Sequence, residues 1–478
     1  MNRKIFYFIL FIIPLSVYSQ ETAFYNFLAD TATKHAIVSF YIADSENGRC
    51  IFGYNSGKSI TPASVMKLVT SSIALELLGP EYVFTTTIGY TGELNINSGK
   101  LTGDIVITGG GDPTLGSKEF TDHYGNFIEK WTDGIKNAGI RKIEGRIITD
   151  DSYFDYQPIP AKWLWEDIGN YYGAGAYGLS VYDNTYEIHY LTSSDSLNHI
   201  VTGVYPEECL IDLEDRLTVY GTKDEGYVFT APYSDKGWIE GSIPADKDDF
   251  VLKASVPDPP LLMARMIDKK LRAAKIRIKG QPSTVRIEGS INMPVKMIAR
   301  INSPPLKDII EVLNHESVNL YAEHLLKELG KVYKDSGTTS AGIEVIKEFL
   351  ESIGIPGKGF FIEDGSGLSR SNAINTENMV ELLIYLKKNS KYFDEFYSTL
   401  PEAGKEGTLK DYFKDNIFES RLTAKSGSMN RVRSYAGYLQ TVSGKELAFC
   451  IIVNNFTGPS RNIVTYIEDI LKETILTK

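Results

Sequence analysis

Three short groups of residues could together carry out acyl transfer. The first is Ser64-Val65-Met66-Lys67. An unassisted serine hydroxyl is a poor nucleophile and needs a base within hydrogen-bond reach. A lysine three residues on along a helix meets that geometry. It must be neutral part of the time, and burial or a neighbouring cation pushes an amine that way. The positive end of a helix also favours a developing anion near Ser64. The second group is Ser317-Val318-Asn319. Its hydroxyl can relay a proton to a leaving group, and its amide can hold a substrate backbone. The third is Lys425-Ser426-Gly427-Ser428. A strand edge can pair with an extended peptide, and Gly427 permits close backbone approach. Lys425 and the hydroxyls suit a carboxylate. Each group alone has a plainer reading: a chance SxxK, a helix cap or turn at 317–319, and a solvent-facing strand end at 425–428.

The surrounding sequence says what must position these groups. His35 to Ile60 alternates and turns like a hairpin. In TPASVMKLVTSSIALELLG, Pro62 suits a first helical position and Gly79 a stop. Ser64 is therefore predicted near a helix N-terminus, with Lys67 one turn on. From about Phe84 short strands with Gly and Asn turns take over and run to about Asp258, interrupted by a predicted helix over 120–139. A helix over 259–276 and a strand run to about Glu288 follow. SPPLKDIIEVL, SVNLYAEHLLKELG and TSAGIEVIKEFLESIG read as helices with glycine stops, and TENMVELLIYLKKN as another. RLTAKSGSM, RSYAGYLQT and ELAFCIIVNNF read as strands, and SRNIVTYIEDILKETIL as a closing amphipathic helix. The predicted fold class is α/β and multi-domain. An antiparallel sheet flanked by helices is split by a long β-rich insertion. The predicted boundaries are 1–19 for an export segment, 20–83 with 289–478 for the catalytic domain, 84–178 with 251–288 for an inserted domain, and 179–250 for a nested one.

Composition narrows the class. A chain of 478 residues is too long for one ordinary domain. A 42% hydrophobic fraction can fill large cores, and 12% aromatics argue against disorder. The net charge is −11 with no long basic run, which argues against nucleic acid as a partner. The acidity is read as plain solubility. Arg3 and Lys4, the apolar run Ile5 to Leu15, and the small residues Val17 and Ser19 read as a secretory signal cut after Ser19. A membrane anchor is the alternative, but the run is short for a span. The mature chain is expected to be soluble and periplasmic, with no transmembrane segment. Cys50, Cys209 and Cys450 are far apart and odd in number, so no disulfide framework is indicated. Gly109 to Asp112 is not followed by Lys-Ser/Thr, and the six histidines show no HExxH spacing. Neither a cofactor nor a metal is expected.

Taken in order, SxxK on a helix, SxN between helices and K[ST]G on a late strand resemble the penicillin-recognising serine enzymes. The interval from Ser64 to Ser317 exceeds what one typical domain needs. In this the chain is similar to the low-molecular-mass class C penicillin-binding proteins, D-alanyl-D-alanine carboxypeptidases and endopeptidases with large domains between the first two motifs. TGDIVITGGGDPTL, EGRIITDDSYFD, EDGSGLSRSN and NHESVNLYAEHLLKELG look like stretches of that family. The resemblance runs from about Glu21 to the C-terminus.

It implies Ser64 as acylated nucleophile, Lys67 as general base, Ser317 as proton relay and Asn319 as the group orienting the substrate amide. Lys425 would partner Ser317 and the substrate carboxylate, with Ser426, Gly427 and Ser428 along the substrate. The backbone N–H groups of Ser64 and Ser428 would form the oxyanion hole. Members that favour diaminopimelate peptides hold that side chain with an inserted-domain aspartate, an arginine after GSGLS and the residue after K[ST]G-[ST]. Here these look like Asp150 (with Asp151 beside it), Arg370 and Met429. The implied partners are peptidoglycan stem peptides ending in D-Ala-D-Ala or in a D-Ala–diamino acid cross-link, with β-lactams as covalent inhibitors. Two functions compete. A β-lactamase or esterase on the same scaffold lacks a matching deacylating Glu loop here. A catalytically silent wall-binding protein would not need intact motifs.

Overall fold

The computed structural model describes residues 19–193, 198–291 and 293–477. The export segment expected over 1–19 lies outside them, save for Ser19, which opens the helix Ser19–Ala29.

The sheet that carries the third motif is five-stranded and antiparallel throughout. Its order is Cys50–Tyr54, Ile37–Asp44, Glu446–Asn454, Val432–Gln440, Leu422–Met429. Strands from both ends of the chain thus pair side by side. The Glu446–Asn454 strand is buried along almost its whole length, because both sheet faces are covered. Its side chains alternate between two cores, as the period of two requires. Ala448, Cys450 and Ile452 face the core built by the helices Met66–Leu78, Asn319–Lys334 and Thr376–Asn389. Phe449, Ile451 and Val453 face the core closed by Ser19–Ala29 and Ser460–Leu476. The three cysteines are unpaired, and burial pushes the Cys450 thiol up.

Between the first and second motifs the chain builds a second five-stranded sheet. Its order is Ser283–Thr284, Ile147–Asp150, Ile105–Thr108, Thr85–Tyr90, Lys296–Asn302. The last strand lies beyond residue 288, so the chain leaves this sheet only at Asn302. Within the insertion two three-stranded sheets stand face to face. One joins His199–Tyr205, Thr185–Thr192 and Lys247–Ser255, and the other Asp212–Val219, Lys236–Ile243 and Glu225–Thr230. Their inner residues, among them Ile188, Leu217, Val228, Ile239 and Leu252, share one apolar core.

Two sequence readings are corrected here. The helix predicted over 120–139 is two helices, Thr121–Tyr124 and Phe127–Asn137. Gly125 takes a φ of 52° and Asn126 caps the second helix by accepting from the Glu129 N–H, so the chain breaks and restarts. Gly330 does not stop its helix, which continues to Lys334. A Cβ there would lie 2.8 Å from the Gly342 nitrogen, so Gly330 serves the close crossing of Thr339–Ser352 instead. Among the described residues no helix is long and apolar enough to cross a membrane.

Candidate active site

Ser64 sits in a single 3₁₀ turn, Ala63–Val65, that leads into Met66–Leu78. Ala63 has a φ of 51°, a left-handed conformation costing a Cβ residue on the order of 1–3 kcal/mol. Neighbours hold it there. The Ser434 hydroxyl donates to the Pro62 carbonyl at 2.5 Å. Gly367 passes so close that a Cβ would lie 2.0 Å from the Ala63 oxygen. On the other side, a Cβ on Gly427 would meet the Ser434 hydroxyl at 2.2 Å and the Ser64 nitrogen at 3.0 Å. Only glycine lets the Leu422–Met429 strand lie against the start of the Ser64 turn.

Lys67 is fully buried one turn on. Its ammonium donates to Ser64 Oγ at 2.9 Å, Asn319 Oδ1 at 2.6 Å and the Ser366 carbonyl at 2.8 Å. Every one of these acceptors is neutral. Burial pulls its pKa down to about 7, against the opposing pull of Asp364 and Glu323.

Ser317 ends the helix Leu306–Glu316 in a left-handed conformation, with a φ of 59°. That turn aims its hydroxyl at Lys425, which donates to Ser317 Oγ at 2.9 Å and to the Ser426 carbonyl at 2.9 Å. Lys425 is fully buried too. Burial first, and then the charge of Lys67, hold it well below the usual lysine range, with Glu316 opposing. Asn319 opens Asn319–Lys334, and its amide N–H₂ donates to the Tyr172 carbonyl at 2.8 Å. Its oxygen is thereby left facing Lys67. Ser426 donates to Thr408 Oγ1 at 2.7 Å, while Ser428 is exposed and Met429 half-buried at the strand end. The structure therefore brings Ser64, Lys67, Ser317, Asn319, Lys425, Gly427 and Ser428 to one place.

Several participants carry no motif signal. The Ser366 carbonyl that accepts a hydrogen bond from Lys67 belongs to the loop EDGSGLSRSN. Glu323 accepts from the Gly365 N–H at 3.1 Å and the Ser366 N–H at 2.8 Å. Burial, and then Asp364, raises the Glu323 carboxyl to about 8. Asp364 accepts from Gly367 N–H, Ser369 N–H, the Asn372 amide and the Trp163 indole, all at 2.6–2.7 Å. Two buried carboxyls thus fix the loop, and the loop fixes the carbonyl. Only the resemblance of the stretch hinted at this, since the acting atom is backbone.

Arg370 is exposed and donates to the Asn430 carbonyl at 3.4 Å, next to Met429. Asp150 ends the strand Ile147–Asp150. Its carboxylate accepts from the Ser152 N–H at 3.1 Å and hydroxyl at 2.6 Å, closing its own turn. Asp151 is buried, and burial first raises it to about 7. The carboxylate whose charge feels Arg370 is Asp167, on the short helix Trp165–Ile168. Burial raises its pKa, and a hydrogen bond from Tyr172 and the charge of Arg370 lower it.

The Asn319–Lys334 helix also fastens the insertion. Tyr321 donates to Asp183 at 3.0 Å. His324 Nδ1 bonds the Gly111 carbonyl at 2.8 Å, so that nitrogen carries the proton and Nε2, 2.9 Å from Ser180 Oγ, accepts. Burial holds His324 down to about 3 and so neutral. Lys327 donates to Asp155 at 2.7 Å. Among the described residues no group of three or more His, Cys, Asp or Glu side chains is placed to hold a metal ion.

The D-Ala-D-Ala carboxypeptidase 3 (S13) family matches residues 21–473. The chain belongs to this family. The S13 chain is 26% identical over 451 residues to the D-alanyl-D-alanine carboxypeptidase of Actinomadura sp. (strain R39), covering 91% of this chain and 80% of the relative. A crystal structure of penicillin binding protein 4 (dacB) from Haemophilus influenzae superposes with a TM-score of 0.81 at 21% identity, covering 96% of this chain and 99% of that one. A second crystal structure of that protein, complexed with a β-lactam, gives 0.74 at 20% identity, covering 93% and 97%. The S13 chain shares their mixed α/β fold.

Proposed function

We propose that this S13 protein is a serine D-alanyl-D-alanine carboxypeptidase, with D,D-endopeptidase action on cross-links, working through an acyl-enzyme on Ser64. The single observation that carries the reading is Lys67. It lies 2.9 Å from the Ser64 hydroxyl, with a pKa drawn down to about 7 and only neutral acceptors around it. A neutral amine has two N–H bonds and one lone pair. The two N–H bonds go to Asn319 and Ser366, which leaves the lone pair for the Ser64 proton.

The cycle follows from that arrangement. Lys67 takes the Ser64 proton as Oγ attacks the carbonyl of the penultimate D-alanine. The oxyanion rests on the Ser64 and Ser428 N–H groups, each worth roughly 10²–10³ in rate. The C–N bond breaks, and the departing amine receives its proton through Ser317, whose hydroxyl is held by Lys425. Lys425, Ser426 and Ser428 bind the terminal carboxylate. Water then attacks the acyl-enzyme, with the lysine again as base. A free D-alanine leaving group makes the event a carboxypeptidation, and a cross-linking diamino acid makes it an endopeptidation. Arg370, Met429 and Asp150 would hold the diamino acid side chain, with Asp167 within the electrostatic reach of Arg370. A β-lactam acylates the same serine.

The catalytic unit in this reading is 20–83 with the chain after the second sheet. The whole acts outside the cytoplasm, in the periplasm, after loss of residues 1–19. The test is intact-mass measurement of a penicillin adduct together with D-alanine release from a stem pentapeptide. Ser64→Ala should abolish the adduct and lower release by on the order of 10⁶. An adduct that survives the substitution contradicts the assignment.

A further inference from the structure

The outer face of the nested insertion is unlike the rest of the surface. In the sheet Asp212–Val219, Lys236–Ile243, Glu225–Thr230, the inner residues Leu217, Val228 and Ile239 are buried. The alternating outer residues include Trp238 and Phe229, directly paired across strands. Their rings lie 5.1 Å apart and within 9° of parallel. Trp165 joins them from the neighbouring helix, 6.2 Å and 6.4 Å from the two rings. Trp165 is 48% exposed, and Tyr227, one step along the same face, is 42% exposed. Exposed aromatic clusters of this kind mark a partner.

The polar groups around the rings say which kind. Glu214 is paired with Trp238, and Glu240 with Tyr227 and Arg216. Glu240 accepts from the Trp238 indole at 3.2 Å. Arg216 bonds Glu214 at 2.6 Å and lies over the Trp238 ring, 5.4 Å from its centroid, and Lys236 on the same face is paired with Asp212. A net acidic face repels polyanions. Flat rings bordered by carboxylate acceptors suit an uncharged polyol, whose C–H faces pack on the rings while its hydroxyls donate to the carboxylates.

The face reaches toward the active site through Tyr227 and Tyr172. A cleft of about 480 Å³ is lined by Tyr171, Tyr172, Tyr227, Glu225 and Lys253, within the range of small-molecule sites. The Tyr172 carbonyl at its edge is the one that accepts from Asn319. The connection is stiff. Asn170 Oδ1 accepts from the Val228 N–H at 3.2 Å, and Ser255 donates to the Ile168 carbonyl at 2.7 Å. A Cβ on Gly169 would lie 1.9 Å from the Val228 oxygen.

We infer that this cleft and aromatic face bind the glycan of the cell wall, a β-linked chain of N-acetylated amino sugars, while its stem peptide enters the active site. The inference rests on the proposed function, because a stem peptide reaches Ser64 with a sugar at its other end. Trp165 opens the helix that carries Asp167, so the test uses the sheet residues alone. Chitotetraose is titrated into the full chain by calorimetry, with Trp238→Ala/Tyr227→Ala and Trp238→Phe as variants. Binding is expected for the parent, a loss of about tenfold in the double alanine variant, and retention in the phenylalanine variant. In the double variant KM for a disaccharide-linked stem peptide should rise by about tenfold. KM for the glycan-free peptide and the rate of penicillin acylation should stay unchanged. Absence of tetraose binding by the parent overturns the inference. So does equal binding by parent and double variant, or a parallel KM rise on both substrates. Loss of penicillin acylation in the parent, with tetraose binding intact, would instead overturn the catalytic reading and leave the glycan site standing.

Discussion

Of the buried lysines, Lys67 and Lys327 differ in what their ammonium groups touch. Lys67 and Lys327 are 0% and 1% exposed. Each donates three hydrogen bonds. Those of Lys327 include a carboxylate, Asp155, at 2.7 Å, with the Gln157 and Ala176 carbonyls. Those of Lys67 reach a hydroxyl, an amide oxygen and a carbonyl. Burial lowers both pKa values, but Asp155 opposes the shift at Lys327 through charge and hydrogen bond together. A countercharge turns a buried lysine into a fastener between the second-motif helix and the insertion. The other, with no carboxylate among its hydrogen-bond partners, is left to serve as a base.

The largest expected effect separates the two by activity. Lys67→Met should slow penicillin acylation of Ser64 by on the order of 10⁴ while leaving thermal unfolding almost unchanged. Stopped-flow acylation and a melting curve read both arms. Lys327→Met should show the reverse. Breaking a buried pair costs about 3–5 kcal/mol. Asp155 is 34% exposed, so about 3 kcal/mol, the low end, is expected from denaturant unfolding. The folded fraction should acylate at nearly the parent rate. Equal effects of the two substitutions on both readouts would erase the comparison. The smallest effect concerns the carboxyl nearest the Lys67 loop. Burial, and then Asp364, raises Glu323 to about 8 and so favours its neutral form, and it accepts from two N–H groups. Glu323→Gln keeps that acceptor and should change the acylation rate by less than about threefold. A loss as large as that of Lys67→Met would mean that Lys67 needs a charged partner after all.

The motif residues were legible because their chemistry resides in side chains at fixed spacing. The SxxK turn needs only a helix, and the strand hairpins that bring Lys425 to it alternate cleanly in sequence. What stayed hidden acts through backbone or through long-range folding. The Ser366 and Tyr172 carbonyls have no residue signature. Asp167 carries no motif signal, since the order of aspartates in the chain does not say which of them lie near Arg370. Gly330 read as a stop because a glycine at a helix crossing and one at a helix end look alike in one dimension. The Gly125 break was hidden for the opposite reason: the apolar spacing continues across it.

The most direct test of the account is the pH dependence of second-order acylation of Ser64 by a penicillin. A lysine whose pKa is depressed is a competent base only above its folded value. The rate should therefore fall about tenfold per pH unit below about pH 7 and level off above it. The expected result is a single ascending limb with a midpoint near the value of about 7 for Lys67. A rate that is flat across this range, or a limb whose midpoint lies at the ordinary lysine value of 10.5, would contradict the claim that Lys67 is held neutral to act as the base.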